Sequence, residues 1–376
     1  MNGRDTGLPK FPTFDALESV LWPAAALIVF VLTAVLVDVM IILAARFRLV
    51  DLPNRRSAHA LPTARGAGVA IAATASLAAI VVVLRWPGLW WQVLVGVILP
   101  SLVIGAVGIV DDTRPLRASL RLAIQVAVAT TMTALLGPLP GVAIPGLPGW
   151  EFGWLGGPLT VLWIVGMINA FNFMDGADGM AALGAVVAGV LIAVVGFHTR
   201  SLGAMLLAAF AAAAAGGFLV FNWQPARVFM GDVGSGYLGT FLAALPLLFN
   251  EPERERSLLP IVMCLWPYIY DPLLSVLRRI WNGKDPFVPH REFLFHRLVR
   301  SGVSHARVSL LYGALAAIGG LAGLMTLNPE VSTSVQRWIP LSIPIMAIVL
   351  TWTVERRCHR VPLTPSGDGT PAPTAV

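Results

Sequence analysis

Charge is what this chain has least of. Only 12% of its 376 residues are Asp, Glu, Lys or Arg, about half the share of an ordinary soluble domain. That excludes a water-facing surface over most of the length. Cysteine is scarce too: Cys264 lies inside an apolar run and Cys358 near the C-terminus. Two cysteines in such unlike surroundings exclude a disulfide framework and a metal knuckle. A basic domain interleaved with aromatics is missing, so the net charge of +6 is no sign of a nucleic-acid partner. Sustained apolar–polar alternation is missing as well, which argues against a β-barrel. The first twenty residues lack a cleavable signal pattern.

What is present is one apolar run after another. The chain is 57% hydrophobic, with a mean hydropathy of +0.77. Eleven runs approach the roughly 17–25 residues that a spanning helix needs. They centre on 22–46, 66–84, 90–109, 119–136, 156–171, 180–197, 202–221, 234–250, 257–277, 307–326 and 336–354. The expected fold is therefore all-α: a polytopic membrane protein of about eleven transmembrane helices. These leave no room for a separate soluble domain. Residues 1–360 read as one transmembrane domain. Residues 361–376, rich in Pro, Thr and Gly, read as a disordered cytoplasmic tail.

Lys and Arg set the orientation. The loops 46–65, 110–121, 172–179, 222–233 and 278–307, with the tail after 354, hold nineteen of the 26 basic residues. The positive-inside rule makes that face cytoplasmic.

The polar residues of interest gather on that same face. Asn169-Ala-Phe-Asn172-Phe-Met-Asp175-Gly-Ala-Asp178-Gly179 follows directly on an apolar run. Asn169 and Asn172 are three apart, so a helix end puts both on one face. Asp175 and Asp178 repeat the spacing. Oxygen ligands beside a glycine-bent backbone suit a hard cation such as Mg²⁺, although capped helices joined by a polar turn would look similar.

Upstream, Asp111 and Asp112 end another apolar run, and Arg121 and Gln125 follow as the next begins. Adjacent carboxylates repel, which suits one of them to proton transfer. A solvated helix end would also show such a pair. In Asn222…Phe229-Met-Gly-Asp232-Val-Gly-Ser235 an Asp sits between glycines. It is a plausible metal ligand, and Phe229 either stacks on a base or anchors at the interface.

Two basic loops complete the face. The first, 51–68, carries Arg55, Arg56, His59 and Arg65 around Pro and Gly; the second carries His290, Arg291 and His296. Arginines beside glycine turns suit phosphate, as they also suit plain topology-setting charge. Asp38 and Asp271 lie inside apolar runs, where a carboxylate faces protein or water.

Acidic groups with a divalent cation, ringed by arginine on one membrane face, describe phosphoryl transfer. At this point the motifs resemble the polyprenyl-phosphate N-acetylhexosamine-1-phosphate transferase family, glycosyltransferase family 4. The resemblance spans about Asp51 to Leu298. It rests on 51–68, Asp111-Asp112, 169–179, Asn222 with 229–235, and Asp271 with Arg278-Arg279.

It implies an enzyme of the inner membrane, working at its cytoplasmic face. The enzyme moves a sugar-1-phosphate from a UDP-sugar to undecaprenyl phosphate and releases UMP, often as a homodimer. It implies Mg²⁺, or Mn²⁺ in its place, on Asn172 and Asp232. Asp111 and Asp112 become the acid pair preparing the lipid phosphate. Arg121 faces the diphosphate, and Asn222 and Phe229 meet the uridine. Asn169, Asp175, Asp178, His59, Arg291 and His296 fall at further substrate-facing positions.

The chain departs from the family where relatives carry His-x-His-His. Here Phe293, Phe295 and His296 stand, which argues against the UDP-MurNAc-pentapeptide branch. The run after Arg300 looks more like the branch that starts O-antigen or related surface polysaccharides. The competing class is an ion-coupled transporter using Asp38 and Asp271. Transporters, however, place their polar sites near the bilayer midplane within repeats, and no repeat is visible here.

Overall fold

The computed structural model describes residues 18–47, 50–51, 63–64, 66–250, 252–285, 288 and 290–360. His59 and the 361–376 tail lie outside them. In chain order the helices are α1 (Glu18–Phe47), α2 (Gly68–Arg85), α3 (Leu99–Thr113), α4 (Ala118–Leu136), α5 (Gly156–Met174), α6 (Met180–His198), α7 (Leu202–Asn222), α8 (Gly231–Ala244), α9 (Glu253–Trp281), α10 (Leu294–Arg300), α11 (His305–Met325), α12 (Thr333–Gln336) and α13 (Ser342–Arg360). Two short antiparallel hairpins join them. β1 (Val50–Asp51) pairs with β2 (Thr63–Ala64), and β3 (Gly141–Val142) pairs with β4 (Trp150–Glu151). The chain is an all-α polytopic membrane protein.

Among the described residues, ten helical segments are long and apolar enough to cross a membrane. The run expected at 234–250 is not among these ten and has a different character. It is α8, 14 residues long, continued by a tighter 3₁₀ turn over Leu245–Leu248. Almost every α8 residue is buried, and it packs against α2, α3 and α5. A helix enclosed by protein need not match the bilayer thickness, so a short Gly-rich segment serves.

Small residues bring the neighbours close. α6 lies along the alanine-rich α7, where the absence of large side chains allows the tight packing that drives helix association in lipid. Many large apolar side chains of α1 and α13 remain exposed, as a lipid-facing surface requires.

The crossings alternate between two faces. On one, buried Arg254 donates to the carbonyls of Leu247 (2.6 Å) and Phe249 (3.1 Å), closing the end of α8. On the other lie the starts of α2, α4 and α8 and the ends of α3, α5, α7 and α9. Gly68 there meets Gly234: a Cβ on Gly68 would stand 2.3 Å from the Gly234 Cα.

α5 is longer than its apolar run, reaching Met174. Asn169 and Asn172 therefore sit within its last turns. Asp175 and Asp178 lie beyond the helix, in the turn to α6, and do not share the face that their spacing suggested.

Buried Asp271 of α9 explains how the short α10 is placed. Its carboxylate accepts the N–H groups of Leu294 (2.6 Å) and Phe295 (3.1 Å) and the Tyr312 hydroxyl (2.6 Å). It thus caps α10 from another helix, satisfying donors that a helix start leaves open. Glu355 of α13 grips α10 from the far side, accepting from both Arg297 nitrogens at 2.6 Å and from Arg278 at 2.8 Å. Asp271→Ala is expected to cost on the order of 3 kcal/mol, because it strands buried N–H groups. The check is the thermal midpoint of the detergent-purified protein; an unchanged midpoint would refute the capping role.

Candidate active site

Three helix ends converge. α3 brings Asp111 and Asp112, α4 brings Arg121, and α8 brings Asp232. Gly108 makes the approach of α3 to α8 possible, since a Cβ there would lie 2.4 Å from the Asp232 carbonyl carbon. Asp111 is fixed by the Leu116 N–H at 2.6 Å and by Arg121 Nη1, which bonds its other oxygen. The same Arg121 nitrogen stands 3.7 Å from Asp232. One guanidinium thus holds two carboxylates together. Asp112 has a different position: its Oδ2 accepts the backbone N–H of Asp232 at 3.1 Å, so it caps the start of α8.

From α5, Asn172 donates to Ser235 of α8 at 3.3 Å, and Asn169 donates to Gln125 of α4 at 2.7 Å. Arg121, Gln125, Asn169, Asn172 and Asp232 all line one cavity of about 630 Å³. Its opposite wall comes from Val276 and Ile280 of α9 and from His290, Phe293 and His296 around α10.

His296 is largely enclosed. Burial, with Arg291 facing it, pushes its imidazole down to about 3. Burial and the nearby Arg279 lower His290 as well. The low folded value of His296 lies below the ordinary histidine value, about 6.5. The unfolded chain therefore binds the extra proton first, and stability is lost as pH falls from 6.5 toward 3. The expected result is a thermal midpoint that declines from pH 7 to 5 less steeply in His296→Gln than in the parent, by at most one proton's worth, about 1.4 kcal/mol per pH unit. An identical slope in both would contradict it.

Other expected site residues lie elsewhere. Buried Asn222 is spent on backbone: its carbonyl accepts the Gly179 N–H at 3.0 Å and its amide donates to the Val228 carbonyl at 2.8 Å. Asp178 accepts the Ala226 N–H at 3.2 Å and pairs with His305 at 3.1 Å. These two residues lock the α5–α6 turn to the α7–α8 loop. Asp175 takes the C-terminal cap position of α5. Phe229 lies outside the cavity lining, and its carbonyl accepts the Ala67 N–H at 3.3 Å. Arg291 is not among the residues that line the cavity.

Ser235, Gln125 and His290 stand in the sequence motifs, but nothing in the sequence assigned any of them a role of its own at the site. Gln125 follows Arg121 by one helical turn, which was a usable signal. Of the intramembrane pair, Asp271 holds α10, and Asp38 stands 3.8 Å from Arg227.

Fold and site define a class: a multi-pass membrane protein with an acid–amide–arginine cluster at its helix ends, opening into a cavity within the bundle. Residues 94–250 match the model described as "Glycosyl transferase family 4". A "Probable undecaprenyl-phosphate N-acetylglucosaminyl 1-phosphate transferase" of Bacillus subtilis is 30% identical over 86% of this chain and 88% of its own length. A "Decaprenyl-phosphate N-acetylglucosaminephosphotransferase" of Mycobacterium leprae is 31% identical over 77% and 80%. A "Phospho-N-acetylmuramoyl-pentapeptide-transferase" of Lactiplantibacillus plantarum is 30% identical over 66% and 81%. The chain belongs to glycosyl transferase family 4.

Proposed function

We propose that the protein transfers an N-acetylhexosamine-1-phosphate from a UDP-sugar to undecaprenyl phosphate, or a close polyprenyl phosphate, releasing UMP. The observation that carries this reading is a pair of adjoining spaces. The polar cavity holds Arg121, Asn172 and Asp232. It shares Asn169, Phe173 and Val276 with a second, almost wholly apolar space of about 490 Å³ between α5 and α9. A polar head in the first and an isoprenoid tail in the second is the shape of a lipid phosphate. The relatives' polyprenyl-phosphate names support the same acceptor.

In this reaction an oxygen of the lipid phosphate attacks the β-phosphorus of the donor. The bond from that phosphorus to the α–β bridging oxygen breaks, and UMP leaves with the electron pair. Arg121 is placed to neutralise diphosphate charge. Asp111 keeps Arg121 in position, Asp112 keeps Asp232 in position, and the apolar wall excludes water that would compete with the lipid.

A divalent cation fits the donor set. Asp232 and Asn172 offer hard oxygens to the cavity, and Ser235 holds the Asn172 amide nitrogen, which turns the amide oxygen away from Ser235. Among the described residues no three His, Cys, Asp or Glu side chains form a ready cage. That suits Mg²⁺, which is held by one or two carboxylates and completes its shell with phosphate and water. Bound there by Asp232 and Asn172, Mg²⁺ or Mn²⁺ would polarise the diphosphate.

The basic bias of this face supports a cytoplasmic site in an inner membrane. The product would begin a surface polysaccharide, O-antigen or cell-wall polymer. The test is UMP release by the purified protein with undecaprenyl phosphate, Mg²⁺ and a panel of UDP-sugars. Release with UDP-GlcNAc that excess EDTA stops is expected. Full activity in EDTA would end the cation claim, and no release with any UDP-sugar would end the donor claim.

A further inference from the structure

The polar cavity has walls of different origin. Arg121, Asn172 and Asp232 stand on the transmembrane helices α4, α5 and α8. The wall opposite comes in part from the seven-residue α10 and the loop before it, through His290, Phe293 and His296. A helix of two turns is unstable by itself. Whatever holds α10 therefore also holds the width of the cavity.

Asp271 caps the start of α10, as described above. One side of α10 rests on the turn between α5 and α6. A Cβ on Gly176 there would lie 2.8 Å from the Phe295 ring and 3.1 Å from His296 Nε2. The other side is clasped by the last turns of α13. Glu355 Oε1 accepts from Arg297 Nη1 at 2.6 Å and from Arg278 Nη1 at 2.8 Å, while Oε2 accepts from Arg297 Nη2 at 2.6 Å. Two residues on, Arg357 donates to the Ser301 hydroxyl at 2.8 Å and to the Ser301 carbonyl at 3.2 Å.

An exposed ion pair contributes little. This pair differs in two respects. The Arg297 side chain is only 20% exposed, and its two parallel donors fix direction as well as distance. The apolar packing of α13 is thin, with Ala347, Leu350 and Val354 as its buried residues. None of its described residues lines the polar cavity, and all of them lie beyond the family match at 94–250.

We infer that Glu355 is a positioning residue for the polar cavity: through Arg297 it holds α10 against the α5–α6 turn, and so sets how closely the wall of His290, Phe293 and His296 faces Arg121 and Asp232. This rests on the reading proposed above, in which the diphosphate of a UDP-sugar lies beside Arg121. A wall that only holds the substrate binds ground state and transition state alike. Its displacement raises KM with kcat nearly unchanged. A merely structural role would lower the amount of active protein instead, reducing apparent kcat and leaving KM as it was.

The experiment uses the purified full chain, Glu355→Ala, Glu355→Gln, Arg297→Ala and the double alanine variant, with two readouts. In hydrogen exchange, the amides of residues 294–300 should exchange about tenfold faster in Glu355→Ala, on the order of one lost charged hydrogen bond, with α3 and α8 unchanged. In UMP release, the KM for UDP-GlcNAc should rise about fivefold while kcat stays within about twofold. The double variant should be no worse than Glu355→Ala, because both remove the same pair. Should the alanine variant fail to fold, Glu355→Gln decides, since it keeps the shape and one acceptor and loses the charge. Unchanged exchange at 294–300 overturns the clasp. Faster exchange with an unchanged KM overturns the positioning role, and additive losses in the double variant overturn the pairing. A parent that releases no UMP with any UDP-sugar removes the underlying reading and the inference with it. That outcome is distinct from an active enzyme whose KM ignores Glu355.

Discussion

Asp232→Ala is expected to leave a correctly inserted protein with about a thousandth of the parental turnover. Its carboxylate is the only acidic side chain among the described residues that line the polar cavity, and it stands where α3, α4 and α8 converge. Losing a cation ligand from a phosphoryl-transfer site removes several kcal/mol of transition-state stabilisation, and about 4 kcal/mol is on the order of a thousandfold. The α8 start should survive, because Asp112 caps it through the backbone N–H of residue 232, which alanine retains. Turnover in membranes and the elution profile in detergent separate the two effects. Turnover within about tenfold of the parent in a monodisperse Asp232→Ala would show that the cation is held elsewhere.

Arg121→Ala should lower activity by about 10- to 100-fold, the worth of one charged hydrogen-bonding group. Two losses combine. The diphosphate loses the only arginine of the cavity wall among the described residues, and Asp111 and Asp232 lose the cation that now stands between them. Arg121→Lys should recover part of the activity, because the charge returns without the guanidinium's planar set of donors. Raising Mg²⁺ should help Arg121→Ala more than the parent, since added cation relieves the same repulsion. Equal Mg²⁺ dependence in both would separate Arg121 from the carboxylate pair.

Much of the fold was legible in the sequence because lipid imposes a simple rule. Backbone groups in hydrocarbon must be satisfied within a helix, so long apolar runs announce their own structure. α8 shows the limit: glycine and burial on every side allow a helix shorter than its apolar run suggested. The convergence of Asp111, Arg121, Asn172 and Asp232 was legible because each ends or begins a crossing on one face. What each polar atom binds was not. Asn222 and Asp178 stand in equally polar motifs, yet their side chains hold the backbone of neighbouring loops. Spacing along a chain does not reveal which backbone donor a side chain will meet. Asp271 reads as a costly intramembrane charge, and only the fold shows that a helix 23 residues later needs it as a cap.

The central claim is that the phosphorus moves with the sugar. The direct measurement uses UDP-GlcNAc carrying ³²P only in the β-phosphate, with undecaprenyl phosphate, Mg²⁺ and purified protein. The account predicts label in the organic-extractable lipid, in step with release of unlabelled UMP. Label that stays in the aqueous phase as UDP while the sugar enters the lipid would contradict it.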